Sequence, residues 1–185
     1  MKNLNSKNNN NTVVQSAGNL LGSSETIRQL SRLKKNNRDA LWFNSWLAGI
    51  VNGDGNFDLR KLNKKIVLKA VRIKVHVRDV KILTTIQNML HFGRVRYDKK
   101  NPYCTYIVSK QEDMKKMFNL INGLIPLKVN SFKKACTFLE INFRPASYIL
   151  RAMDPFFAGL VDSDGTILLN YPGNRIECVL ELKQT

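Results

Sequence analysis

The chain has 185 residues, 43% of them hydrophobic, which amounts to one domain or one and a fraction and is enough for a sizeable core. Thirty Lys and Arg stand against 14 Asp and Glu, a formal net charge of +16. That balance argues against an acidic-surfaced protein or an ordinary metabolic enzyme and points to a polyanionic partner, nucleic acid before an anionic membrane.

No run reaches the roughly 18 apolar residues of a membrane span. The opening MKNLNSKNNNNT lacks the apolar segment of a secretory signal. Cys104, Cys136 and Cys178 are odd in number and widely spaced, with only His76 and His91 to assist them. They read as reduced, mostly buried thiols, in place of a zinc site or disulfide framework, and mark a reducing compartment.

In chain order, residues 1–38 read as a basic, Asn-rich, disordered arm. One short helix fits Ser24–Lys35, where Ile27, Leu30 and Leu33 take helical spacing. From Asp39 the chain turns apolar. Ala40–Val51 forms a helix closing at Asn52-Gly53-Asp54-Gly55, with Gly55 expected at the C′ position. Phe57–Leu62 is extended. Val71–Arg78 alternates strictly, so it is a strand with one buried face and Arg72, Lys74, His76 and Arg78 on the other. Asp79 is the expected N-cap of a helix carrying Val80, Leu83, Ile86, Met89 and Leu90, which Gly93 ends. Arg94–Tyr97 and Tyr103–Ser109 flank the turn Asp98–Pro102 as a hairpin. Helices over Gln111–Asn122 and Asn130–Leu139 follow. Paired strands separated by helices predict an α+β domain, an antiparallel sheet with its helices on one face.

Aligned against itself, the chain repeats. Trp46-Leu47-Ala48-Gly49-Ile50-Val51-Asn52-Gly53-Asp54-Gly55 recurs as Phe156-Phe157-Ala158-Gly159-Leu160-Val161-Asp162-Ser163-Asp164-Gly165. Ile167 and Leu169 then answer to Phe57 and Leu59, and Ile176–Leu182 alternates as Val71–Val77 does. A repeat of this length is a domain duplication, with a first half over 39–153 and the start of a second, incomplete in this chain, over 154–185.

Ala48/Gly49 with Asn52/Gly53, and Ala158/Gly159 with Asp162/Ser163, place small residues one helical turn apart. Such faces let two helix backbones approach closely, which would bring Asp54 beside Asp164. Each carboxylate then sits at a helix C-terminus, where the dipole disfavours negative charge. The pair demands a cation, and hard oxygen ligands favour Mg²⁺ completed by water and a substrate phosphate.

Both segments, LAGIVNGDG at 47–55 and FAGLVDSDG at 157–165, resemble the LAGLIDADG motif of the homing endonucleases. The resemblance spans about residues 40–185. It implies halves of αββαββα order with a saddle-shaped antiparallel sheet, paired through their motif helices, so that a full-length protein is a monomer. Carried over by position, Asp54 and Asp164 are the metal-binding acids, with the backbone carbonyls of Gly53 and Ser163 as further ligands. Asn52 stands where the motif usually has Asp, a position that serves packing and hydrogen bonding. Lys128 is the nearest match to a lysine near the active site, with Lys133 and Lys134 as rivals. His76 lies where the family often places a polar residue that positions water. Arg60, Arg72, Lys74, Arg94 and Arg96 match its DNA-contact strand face.

The resemblance implies Mg²⁺-dependent hydrolysis of both strands of a long DNA target across the minor groove, with Mn²⁺ as a substitute metal. Two other readings stay open: an RNA maturase assisting splicing of its host intron, and an inactive truncated fragment. The same resemblance implies an intron-encoded protein of mitochondria or chloroplasts, with an archaeal or phage origin also open.

Overall fold

The computed structural model describes residues 39–63, 65–147, 149–150 and 152–180. The arm over 1–38, its helix at Ser24–Lys35 and the last two residues of the Ile176–Leu182 strand lie outside the described residues. The chain opens with helix α1 (residues 39–53), then β1 (Gly55–Leu62) and β2 (Lys65–His76). Next come α2 (Val80–Leu90), β3 (Arg94–Tyr97), β4 (Tyr103–Val108), α3 (Gln111–Ile121) and α4 (Val129–Leu139). A second α5 (Pro155–Asp164), β5 (Gly165–Asn170), β6 (Arg175–Leu180) unit closes the described chain.

Strands β1–β4 form one antiparallel sheet in the order β1-β2-β4-β3, and β5 and β6 form a separate two-stranded sheet. The expected α+β architecture is present. Helices α2 and α4 cover one face of the larger sheet, α2 against β2, β3 and β4 and α4 against β1 and β2. Val71, Ile73 and Val75 point into that side and are buried, as period-two alternation requires. They meet Leu83 and Ile86 of α2, Phe132 and Leu139 of α4, and Leu47, Ile50 and Val51 of α1 in one core cluster. Phe118 stacks on Phe132 at 4.7 Å between ring centroids, and Phe57 tilts against both at 5.4 and 5.6 Å. Each fully buried side chain of this size stabilises the fold by roughly 1.5–3 kcal/mol. Cys104 and Cys136 are buried in this layer as free thiols, while Cys178 is exposed on β6.

Three local expectations change. Strand β2 begins six residues before Val71, because a β-bulge between Phe57 and Leu59 of the β1 register lets Leu68 share the core face. It also ends at His76. Val77–Asp79 is a single 3₁₀ turn, so Arg78 leaves the strand face, and its amide donates to His76 Nδ1 at 3.2 Å. Asp79 occupies the N-cap position of α2 as expected but makes no side-chain capping bond there, and the Val80 amide donates to the Val77 carbonyl. Gly55 is the first residue of β1, paired with Ile73, and is no left-handed cap. Glycine is needed there for space: a Cβ would stand 2.7 Å from Val51 Cα. Left-handed helix ends in this half are His91, φ 58°, closing α2, with Gly93 turning the chain two residues later, and Glu140, φ 57°, closing α4.

Candidate active site

Helices α1 and α5 meet backbone to backbone. A Cβ on Gly49 would stand 2.8 Å from the Leu160 nitrogen, and one on Gly159 would stand 3.0 Å from the Ile50 nitrogen. No side chain fits, so the small residues at these positions permit the contact. One turn further on, a Cβ on Gly53 would stand 2.6 Å from Ser163 Cβ and 3.0 Å from Asp164 Oδ2. The Asp164 carboxylate therefore lies directly across from the end of α1. A long-range bond locks the pairing, as buried Trp46 Nε1 donates to Asp162 Oδ2 at 2.9 Å.

Asp54 is the first residue past α1, its amide still bonded to the Ile50 carbonyl at 2.9 Å. Its pKa is pushed up from 3.8 to about 7, first by burial and then by the charge of Asp164, with Asp79 adding and Lys128 opposing. Burial strips water from the charged form, and a like charge compounds the cost.

Lys128, at the start of α4, reaches back to the same helix end. Its Nζ donates to the carbonyls of Val51 at 3.2 Å, Gly53 at 2.6 Å and Gly55. The Val51 and Gly53 carbonyls are orphans that the C-terminus of α1 leaves, the Gly55 carbonyl opens β1, and a cation suits the helix dipole there. Burial pushes the Lys128 pKa down while Asp164 and Asp54 hold it up. Lys133 and Lys134 are exposed on α4. What brings Lys128 in is Asn52, only 3% exposed. Its Nδ2 donates to the Ala48 carbonyl at 2.7 Å and its Oδ1 accepts from the Leu127 amide at 3.0 Å. An Asp at this place could not supply the first of these bonds.

The donor chemistry suits a hard divalent cation, with two carboxylates converging and one of them starved of counter-charge. Among the described residues no group of three or more His, Cys, Asp or Glu side chains could hold a metal. A cation between these two acids would thus draw its remaining ligands from backbone, water or substrate. The Gly53 carbonyl faces the Lys128 ammonium. Ser163 Oγ turns back to the Gly159 and Leu160 carbonyls at 3.1 and 3.0 Å.

The basic strand face runs up to this site. The Lys74 amide donates to the Asp54 carbonyl at 3.4 Å. Register sets Arg72, Ile107 and Arg94 in one row across the outer face and Lys74, Thr105 and Arg96 in the next. Arg60 joins them through Asp58, whose carboxylate takes Arg60 Nε at 3.0 Å and Arg72 at 2.8 Å. His76 ends β2 half-buried, its ring edge-on to Tyr103 at 5.9 Å. Lys74 Nζ lies over the same Tyr103 ring at 4.2 Å.

The residues that sequence reasoning passed over are Trp46, Tyr103, Asp58 and Asp79. Asp58 was detectable, since it alternates with Arg60 on a short strand. Trp46 was not, because its partner lies 116 residues away.

Residues 47–139 match the family described as LAGLIDADG endonuclease. The intron-encoded RNA maturase bI4 of Saccharomyces cerevisiae is 33% identical over 150 residues, 80% of this chain and 22% of that protein. The probable intron-encoded endonuclease 4 of Neurospora crassa is 28% identical over 176 residues, 87% of this chain and 30% of that protein. The chain thus spans less than a third of the length of these curated relatives. A crystal structure of the LAGLIDADG meganuclease I-AabMI bound to uncleaved DNA aligns over 73% of this chain and 64% of that one, with TM-score 0.54 and 15% identity, a likeness of fold.

Proposed function

The chain belongs to the LAGLIDADG endonuclease family, and from that premise we propose that it is a site-specific, intron-homing DNA endonuclease. It hydrolyses phosphodiester bonds with a divalent cation, Mg²⁺ or Mn²⁺, held by Asp54 and Asp164. The observation that carries this reading is the convergence of the two motif acids at the ends of paired helices, with Asp54 held near neutrality by burial and by Asp164. When bound, the cation polarises the scissile phosphate and lowers the pKa of an attacking water.

The chain's own residues do the rest. Lys128 holds the end of α1 closed and balances part of the negative charge. His76 Nδ1 accepts from the Arg78 amide at 3.2 Å, which assigns the proton to Nε2 and leaves that atom to donate to water or phosphate. Arg60, Arg72, Lys74, Arg94 and Arg96 bind duplex DNA. Most of their contacts go to phosphate, and an Arg or Lys reaching a guanine edge adds sequence preference. Asp58 orients two of these guanidiniums in advance.

Residues 39–153 act as one LAGLIDADG half and 154–185 as part of a second, paired within one chain. An origin in an intron of a mitochondrion or chloroplast agrees with relatives that are intron-encoded by name.

A second reading, an RNA maturase, is favoured by the 33% identity to a protein of that name. One experiment separates them: the protein with Mg²⁺ is offered duplex DNA spanning an intronless insertion site and, separately, the intron RNA. Cleavage that Asp54→Asn abolishes without weakening DNA binding supports the endonuclease. Absence of cleavage alongside tight intron-RNA binding replaces it with the maturase.

A further inference from the structure

The Lys128 ammonium is saturated by backbone. An ammonium carries three donors and no acceptor. Here it meets the carbonyls of Val51 at 3.2 Å, Gly53 at 2.6 Å and Gly55, all from one short stretch of chain. While these bonds stand, it has no proton left to offer a phosphate or a water. Its backbone is fixed separately. The neighbouring Leu127 amide donates to Asn52 Oδ1 at 3.0 Å, and the Lys128 carbonyl accepts from the Phe132 amide of α4 at 3.0 Å. The side chain can therefore withdraw along its flexible stem without disturbing the helix that carries it.

A divalent cation would compete for the same place. Among the described residues no group of three or more His, Cys, Asp or Glu could hold one. A cation between Asp54 and Asp164 must therefore add oxygens from backbone or water. The Gly53 backbone lies between these acids, since Asp54 is the next residue and a Cβ on Gly53 would stand 3.0 Å from Asp164 Oδ2. Its carbonyl is the one that Lys128 holds. An ammonium and a dication sharing one oxygen repel each other strongly in a partly buried site.

We propose that Lys128 is a resident counter-cation: its ammonium and the divalent cation are alternative occupants of the end of α1, and the cation is admitted as the Lys128 side chain leaves the Gly53 carbonyl. This rests on the reading of Asp54 and Asp164 as cation ligands. It assigns Lys128 a gating role, set by the anchored Leu127 amide, that acts before any DNA is bound.

The test is amine acetylation of the whole chain without DNA at about pH 8.5, read residue by residue by mass spectrometry in EDTA and in Mg²⁺, with calorimetry to establish that Mg²⁺ is bound. Mg²⁺ should raise the Lys128 rate roughly tenfold as its charged hydrogen bonds are lost. Lys133 and Lys134, exposed on α4, should not change and serve as internal controls. A Lys128 rate that is unchanged or lower with Mg²⁺ bound overturns the inference. So does a rise that persists in Asp54→Asn, which would place the response outside this site. Lys128→Met should bind Mg²⁺ roughly tenfold more tightly, because the competing charge is gone; equal or weaker binding overturns the inference as well. Failure of the wild-type protein to bind Mg²⁺ instead refutes the reading of the two acids as cation ligands, and the inference with it. The wild-type labelling needs no variant, so a poorly folded Lys128→Met leaves the test intact.

Discussion

Asp54→Asn is expected to stabilise the cation-free protein at alkaline pH and to abolish its response to divalent cations. In the fold the Asp54 pKa stands at about 7, against an ordinary 3.8. The folded state therefore binds more protons than the unfolded state between these values, and stability falls as pH rises through that window. Undiscounted, the difference is worth about 4 kcal/mol at 1.36 kcal/mol per pH unit. The site is partly open to water, and screening reduces this to about 2 kcal/mol. Asparagine mimics the neutral form at every pH. For a folded unit of this size the gain corresponds to a rise in Tm of roughly 4–8 °C at about pH 8, and to little change at about pH 5. The assay is differential scanning fluorimetry in EDTA and in Mg²⁺ at both pH values. Wild type should gain Tm from Mg²⁺ only at the higher pH, since a protonated carboxyl binds no cation. A wild-type Tm in EDTA that stays flat between the two pH values would refute the reasoning, as would a variant that still responds to Mg²⁺.

Two further outcomes follow from the same site. Lys128→Met removes three carbonyl contacts and the one charge that lowers the Asp54 pKa. It should cost roughly 2–3 kcal/mol in urea denaturation and move the midpoint of the pH-dependent Tm upward; a midpoint that moves down contradicts the assignment. Gly159→Val places side-chain atoms into the Trp46 and Ile50 backbone and should cost 3 kcal/mol or more by order of magnitude. Ala158→Ser, on the exposed side of the same helix, should change stability by less than about 0.5 kcal/mol. Equal effects of the two substitutions would show that α1 and α5 do not pack as described.

Much of the fold was legible because its signals are local. Strict alternation at Val71–Val77 identifies a half-buried strand, and the spacing of Leu83, Ile86 and Leu90 identifies an amphipathic helix. Each side chain's facing follows from backbone period alone. The same logic put Arg72 and Lys74 on the outer face. Local pattern failed where backbone and neighbours compete. A bulge moved the start of β2, a 3₁₀ turn took Arg78 off the strand, and Gly55 proved to be needed for space and not for a left-handed turn.

The duplicated motif, the two acids at its end and the net charge of +16 are readable along the chain alone, because identity and periodicity are properties of the chain. Which lysine reaches the end of the first motif helix depends on how the chain packs. Lys128 is the nearest match by position with Lys133 and Lys134 as rivals, and in the fold Lys128 is drawn in beside Asn52 and the Leu127 amide while the other two remain in solvent. The same holds for the Asp54 pKa and for the Trp46–Asp162 bond, which join segments more than 100 residues apart. Desolvation and charge act through space, and the distances they depend on exist only once α1 and α5 have packed.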